Sequence, residues 1–133
     1  MATVERTGPE GGAQSLSRDL SRAMVALFKE YVGRGPTHAR AHLSEDLIVV
    51  VLQDTMIRAE KTLAAEGEED LVRGVRRVFQ GKFREDAVEI VQELTGRQVK
   101  AFLSDHAIDP DVAIEAFVLE PRTDQAQEGA EAV

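Results

Sequence analysis

The sequence predicts an α+β domain: a four-stranded, mainly antiparallel sheet of two hairpins with helices packed on it, in the order α-β-β-α-α-β-β. Three observations predict it. Apolar residues recur at three- and four-residue steps before Gly33, the period of a helix with one buried face. Between Thr37 and Leu52 the pattern changes to alternation and then to an unbroken apolar run. A similar passage from helix to hairpin recurs after Gly96, so the chain reads as two related halves.

In the first helix Leu16, Leu20, Ala23, Met24, Leu27, Phe28 and Tyr31 form the apolar face, with Ser15 or Ser17 available as N-cap. Gly33 suits the left-handed residue that closes a helix, because it has no Cβ to clash there. Pro36 fixes its own φ and pushes Gly35 towards extended geometry, so the chain enters a strand. From Thr37 to Leu43 small or apolar residues alternate with His38, Arg40 and His42, the signature of a strand buried on one face. Ser44, Glu45 and Asp46 form a turn. The run LIVVVL, Leu47 to Leu52, is apolar at every position, which predicts a central strand covered on both faces.

After this hairpin, Asp54 or Thr55 is placed to cap a short helix ending at Gly67, and Glu68, Glu69 and Asp70 put negative charge where the next helix starts. The apolar face of that helix changes direction. Leu71, Val75, Val78 and Phe79 share one side, while Phe83, Ala87, Ile90, Val91 and Leu94 cluster roughly 100° round it by the 3.6-residue repeat. A straight helix would not bury both sets on one surface, so a kink or split is expected between Gly81 and Asp86. Gly96 then ends the helix. Val99, Ala101 and Leu103 alternate with Lys100, Phe102 and Ser104. Following a turn in SDHAIDPD, Val112, Ile114, Ala116 and Val118 are expected to line one face. Both halves carry a helix, a Gly-Arg pair (Gly33-Arg34, Gly96-Arg97) and Leu-Ser-acid (Leu43-Ser44-Glu45, Leu103-Ser104-Asp105), a faint internal repeat.

The chain of 133 residues suits one domain, expected over residues 14–120, with disordered tails at 1–13 and, acidic, at 121–133. With no cysteine it has no disulfide, thiolate or cysteine-based metal chemistry. No apolar run approaches the roughly 20 residues that span a bilayer, and no signal peptide is visible, so a cytoplasmic location without membrane insertion is expected. Acids exceed bases, 24 to 16, which weighs against nucleic acid as a partner.

Arg34, His38, Arg40 and His42 are the candidate ligand- or anion-binding residues. The two histidines lie four residues apart on an extended strand, roughly 13 Å, too far to share one metal ion. Asp105, His106, Asp109 and Asp111 crowd a turn, but without the glycine-bearing spacing of a calcium loop. Arg73, Arg76, Arg77 and Arg84 lie along one helix, where Glu69 stands four residues before Arg73 and favours an ion pair. No nucleophile elbow, dinucleotide fingerprint, phosphate loop or zinc-protease motif occurs, so no catalytic residue, cofactor or metal is assigned. Ile48, Val50 and Leu52 point opposite to Leu47, Val49 and Val51, and Phe102 and Phe117 fall opposite their strands' expected core faces. These five residues are the expected partner face, for a homodimer or a larger partner.

The blocks KEYVGRGPTHARAHLSEDLIVVVLQDTMIRAEKTLA, LVRGVRRVFQ and ELTGRQVKAFLSDHAIDPDVAIEAFVLE together resemble the MpsC-like family of small bacterial proteins, over nearly all of the stretch from Leu16 to Glu120. The resemblance implies a soluble component of a sodium-linked, membrane-potential-generating system associated with inorganic carbon uptake, and it brings no established catalytic residues. Two functions are therefore expected. One is a non-enzymatic accessory or regulatory component, cytoplasmic or peripheral to a membrane complex, partnered by its own copy or by a transporter subunit. The alternative is a small-molecule or anion-binding sensor that uses Arg34, His38, Arg40 and His42.

Overall fold

A computed structural model of the chain describes residues 9–122, with 9–11 described by backbone alone. Three helices and four strands follow in the expected order: α1 (Pro9–Val32), β1 (His38–Ser44), β2 (Leu47–Gln53), α2 (Arg58–Ala65), α3 (Glu69–Thr95), β3 (Val99–Ala107) and β4 (Val112–Leu119). The strands form one antiparallel sheet in the order β1-β2-β4-β3. The two hairpins thus lie side by side, and the LIVVVL strand is central as its composition requires.

α1 begins earlier than expected, at Pro9, whose fixed φ suits a first helical turn. Residues 9–13, assigned to a tail from sequence, are therefore helical; 1–8 and 123–133 lie outside the described residues. Ser17 is consequently inside the helix, where its hydroxyl donates to the Ala41 carbonyl at 2.7 Å and ties α1 to β1. Gly33 closes α1 at φ 97°, with its N–H on the Lys29 carbonyl, and Gly96 closes α3 at φ 71°. Both are the left-handed closures that the sequence implied.

α3 does not split at Gly81 but continues for 27 residues. Its buried positions are Val72, Arg76, Phe83, Ala87 and Val91, all within about 100° of one another. The first half packs through Val72 and Arg76, while Leu71, Val75 and Val78 stay exposed. An arginine inside and a valine stripe outside is what made the face appear to turn.

The helices cover one face of the sheet. Leu20, Met24, Leu27 and Phe28 of α1 and Phe83, Ala87 and Val91 of α3 pack with Val50, Leu52, Phe102 and Phe117 into one core. Aromatic rings run through it from α1 to β4: Phe28–Phe83 at 5.4 Å, Phe83–Phe102 at 6.4 Å and Phe102–Phe117 at 4.9 Å between centroids. A smaller cluster of Met56, Val72 and Ile108 seats α2 at the end of the sheet.

Candidate functional site

Among the described residues, no element lies over the other face of the sheet, and it remains apolar at its centre. Leu47, Leu103 and Ile114 are 39, 59 and 42% exposed there, with Val49, Val51, Ala116 and Val118 half-buried beside them. Contiguous apolar surface of this kind marks an interface more often than chance exposure does. The register sets its borders. One cross-strand row reads Arg40, Val51, Ile114, Asp105, so a cation stands on the β1 edge and an anion on the β3 edge of the same row.

The residues expected from sequence to meet a partner lie on the opposite, helix-covered face. Ile48, Val50, Leu52, Phe102 and Phe117 are 2, 0, 0, 5 and 0% exposed. The idea of an open apolar face holds, but its parity is reversed. In β2 both faces are apolar, so alternation carries no sign. In β3 the register slips between Val99 and Ala101, leaving Lys100 as a bulge, so Val99 and Leu103 face opposite sides of the sheet. In β4 the buried row is Ala113, Glu115, Phe117 and Leu119, and a carboxylate in its middle made the other row look like the core.

His38, Arg40 and His42 project from the exposed side of β1, as expected, and border open grooves along that edge. Arg34 does not join them. Its guanidinium grips Asp54 through Nη1 and Nη2 at 3.2 and 3.1 Å and donates to the Asp54 and Met56 carbonyls. It is a clamp on the chain leaving β2, and it holds Asp54 in the left-handed region at φ 61°. The pairing, with help from Lys61, lowers the Asp54 carboxyl to about 2.

A second constellation is polar and buried. Arg76 places Nε and Nη2 on the two Glu60 oxygens at 2.8 and 2.6 Å and donates to the Thr55 carbonyl. Such forked pairing is the strong form of a carboxylate contact. Beside it, Thr55, His106 and Asp111 form a closed triangle: His106 Nε2 to Asp111 Oδ1 at 2.9 Å, Thr55 Oγ1 to Asp111 Oδ1 at 3.1 Å, and Thr55 Oγ1 to His106 Nε2 at 3.3 Å. A proton relay needs the acid on one ring nitrogen and the hydroxyl on the other. Here both meet Nε2, so the triangle ties the end of β3 to the segment after β2 and to the β3-β4 turn rather than activating the threonine. Burial would raise the Asp111 carboxyl, but hydrogen bonds from His106, the Met56 N–H and Thr55 outweigh it and hold the group below its usual range.

Glu115 is different. It is fully buried, neither carboxylate oxygen has a hydrogen-bond partner, and burial pushes it up to about 8, opposed by Ser104 and the field of Arg76. The nearby cavity, walled by Phe28, Phe79, Phe83, Arg76 and His106, measures about 10 Å³. Small-molecule sites take roughly 300–1,000 Å³, so this pocket does not admit an organic substrate. Among the described residues, no group of three or more His, Cys, Asp or Glu side chains could hold a metal ion. The arginine stripe is also dispersed: Arg73 pairs with Glu69 at 3.6 Å, Arg76 is internal, and Arg84 lies 5.2 Å over the Phe102 ring.

Among known families, the model described as Na+-translocating membrane potential-generating system (MpsC) matches residues 13–121. The chain belongs to the MpsC family. Two Bacillus subtilis (strain 168) proteins are similar to it. The uncharacterized protein YrhF is 26% identical over 104 residues, which is 77% of this chain and 85% of the relative. The uncharacterized protein YbcI is 26% identical over 92 residues, 68% of this chain and 74% of the relative. No solved structure matches.

The motifs that carried the resemblance occupy joints of this MpsC-family fold. Gly33-Arg34 turns α1 into β1 and clamps the end of β2. Gly96-Arg97 turns α3 into β3, with the Arg97 guanidinium on Asp46 and on the Glu45 and Glu120 carbonyls. The two Gly-Arg pairs of the faint internal repeat thus both stand at helix-to-strand joints. The repeat fails at Leu-Ser-acid, because Ser44 ends β1 whereas Ser104 lies inside β3, which runs on to Ala107. Glu60, Arg76 and Glu115 escaped the sequence reading as a buried set. The available signal was a charge interrupting the apolar run VAIEAFVL.

Proposed function

We propose that this MpsC-family chain is a non-enzymatic accessory or regulatory component of a sodium-linked, membrane-potential-generating assembly that serves inorganic carbon uptake, positioned in the cytoplasm beside the membrane. The observation that carries the reading is the open apolar sheet face on a member of a family described as a Na+-translocating membrane potential-generating system. Among the described residues no helix is long and apolar enough to cross a membrane; the chain acts by docking through its open sheet face. The test is complementation in a host lacking its own copy of the gene, read as sodium-dependent membrane potential with a voltage-sensitive dye. Wild type restores the potential, whereas a folded Leu103→Lys, Ile114→Lys variant does not. Full restoration by that variant refutes the docking role.

A second reading, anion sensing, draws on one observation. Arg18, Arg40 and His42 line the same groove between α1 and β1. Titration with inorganic phosphate, followed by chemical shifts of these residues, tests it. Saturable binding lost in Arg40→Ala would favour the sensor.

A further inference from the structure

We propose that the occupant of the open sheet face is a second copy of this chain, stacked face to face about a two-fold axis that runs parallel to the strands between β2 and β4. The inference rests on reading that face as an interface, and it adds the partner and its orientation.

The register supplies the argument. Strand order β1-β2-β4-β3 means that this rotation lays β1 of one copy over β3 of the other and β2 over β4, keeping each cross-strand row in register with itself. In the row Arg40, Val51, Ile114, Asp105, Val51 then meets the Ile114 position of the second copy. Arg40 meets the Asp105 position, and symmetry forms each contact twice. Arg40 is exposed and makes no ion pair or hydrogen bond among the described residues. Asp105 uses one carboxylate oxygen on the His106 N–H and keeps the other free. Stacked sheets lie about 10 Å apart, a gap that an arginine and an aspartate reaching from opposite sides can close at the rim. The row is one of the two central ones, so the roughly 30° offset of aligned sheets displaces it least.

The other face-to-face two-fold, with its axis across the strands, is disfavoured by the same residues. It lays β1 on β1, with Arg40 against the His42 position and Asp105 against the Leu103 position, so neither rim charge meets its opposite. Rim charge selects orientation in this way, because electrostatic complementarity fixes register. The apolar centre is self-complementary in size as well, since β2 presents Leu and Val where β4 presents Val, Ala and Ile. Four strands at about 4.8 Å and seven residues at about 3.3 Å give roughly 450 Å² of sheet plane per copy. Corrugation adds to this, which places the contact at the small end of specific interfaces. The dimer is therefore expected to dissociate on dilution.

The experiment is sedimentation velocity on the full chain over a concentration series. Wild type is expected to shift from monomer to dimer. Arg40→Asp and Asp105→Arg each weaken the dimer by tenfold or more, and the double exchange restores it because both pairs re-form with reversed sign. Leu71→Lys on the exposed stripe of α3 leaves it unchanged. Circular dichroism confirms that each variant is folded. A wild type monomeric at every concentration overturns the proposal, as does a dimer insensitive to both charge variants or one abolished by Leu71→Lys. The two readings fail separately. Loss of potential in the Leu103→Lys, Ile114→Lys variant of a strictly monomeric protein removes the dimer and keeps the docking role. A charge-exchangeable dimer whose disruption leaves the potential intact keeps the dimer and removes that role.

Discussion

Glu115→Gln should make the protein more stable, and by an amount that depends on pH. The wild-type carboxyl is fully buried, has no hydrogen-bond partner, and is pushed up to about 8 from an ordinary 4.5, chiefly by burial. A carboxyl whose folded value lies above its unfolded value binds its proton more tightly in the native state. Its contribution is therefore fully present below about 4.5 and is lost as pH rises towards about 8. Each pH unit in that window is worth about 1.4 kcal/mol, so by pH 7 the native state has lost up to about 3 kcal/mol. Glutamine has nearly the same shape and does not titrate. Urea unfolding of both proteins from pH 5 to pH 8, at fixed ionic strength, isolates this group, since every other titration is shared. The gap should be small at pH 5 and widen towards about 3 kcal/mol by pH 7. A gap that stays constant across the series would refute the argument and mean that the carboxyl finds solvent or a partner.

Arg76→Met leaves Glu60 buried without its forked partner, and loss of one member of a buried pair costs about 3–5 kcal/mol. Hydrogen exchange should show the loss first in α2, which Glu60 anchors through the Ile57 N–H as well; Arg76→Met with Glu60→Leu should recover most of it. Asp54 holds a left-handed backbone at φ 61°. Asp54→Gly should therefore be about 1 kcal/mol more stable than Asp54→Ala by thermal unfolding, although both lose the Arg34 and Lys61 contacts.

The element order, the central position of LIVVVL and the glycine closures were legible because each depends on local chemistry. Period, β-branching and freedom at positive φ are properties of short windows. The parity of the strands was not legible, and the reasons lie in particular residues. β2 is apolar on both sides, Lys100 bulges out of β3, and Glu115 stands in the middle of the buried row of β4. All three choices depend on what lies across the sheet. The continuity of α3 escaped for a related reason. Arg76 looked like surface, yet its partner Glu60 arrives from a different helix. In the candidate site, the exposed His38, Arg40 and His42 were visible from alternation alone. Of the Thr55-His106-Asp111 triangle, the crowding of His106 and Asp111 was visible five residues apart, whereas Thr55 comes from more than 50 residues away and left no local trace.

What decides the parity is the whole set of side chains that each face buries. Turning the β3-β4 hairpin over would bury Leu103, Ile114 and Val118 and free Glu115. Against it stand Phe102 and Phe117, each worth about 1.5–3 kcal/mol on full burial, and the ring-to-ring contacts from Phe28 onward, about 0.5–1.5 kcal/mol each. His106 also reaches Thr55 and Asp111 only from the helix side. The sheet thus keeps its aromatics and its polar tie inside and leaves Ile114 and Leu103 outside, which is why the open face is greasy at all. The two faces should respond to truncation differently. Phe117→Ala should cost about 3–5 kcal/mol of unfolding free energy, whereas Ile114→Ala, measured by urea unfolding at concentrations too low for association, should stay within about 0.5 kcal/mol of wild type. At high protein concentration Ile114→Ala should instead weaken self-association. Equal costs at high dilution would mean that Ile114 is covered within a single chain, and the face assignment would fall with it.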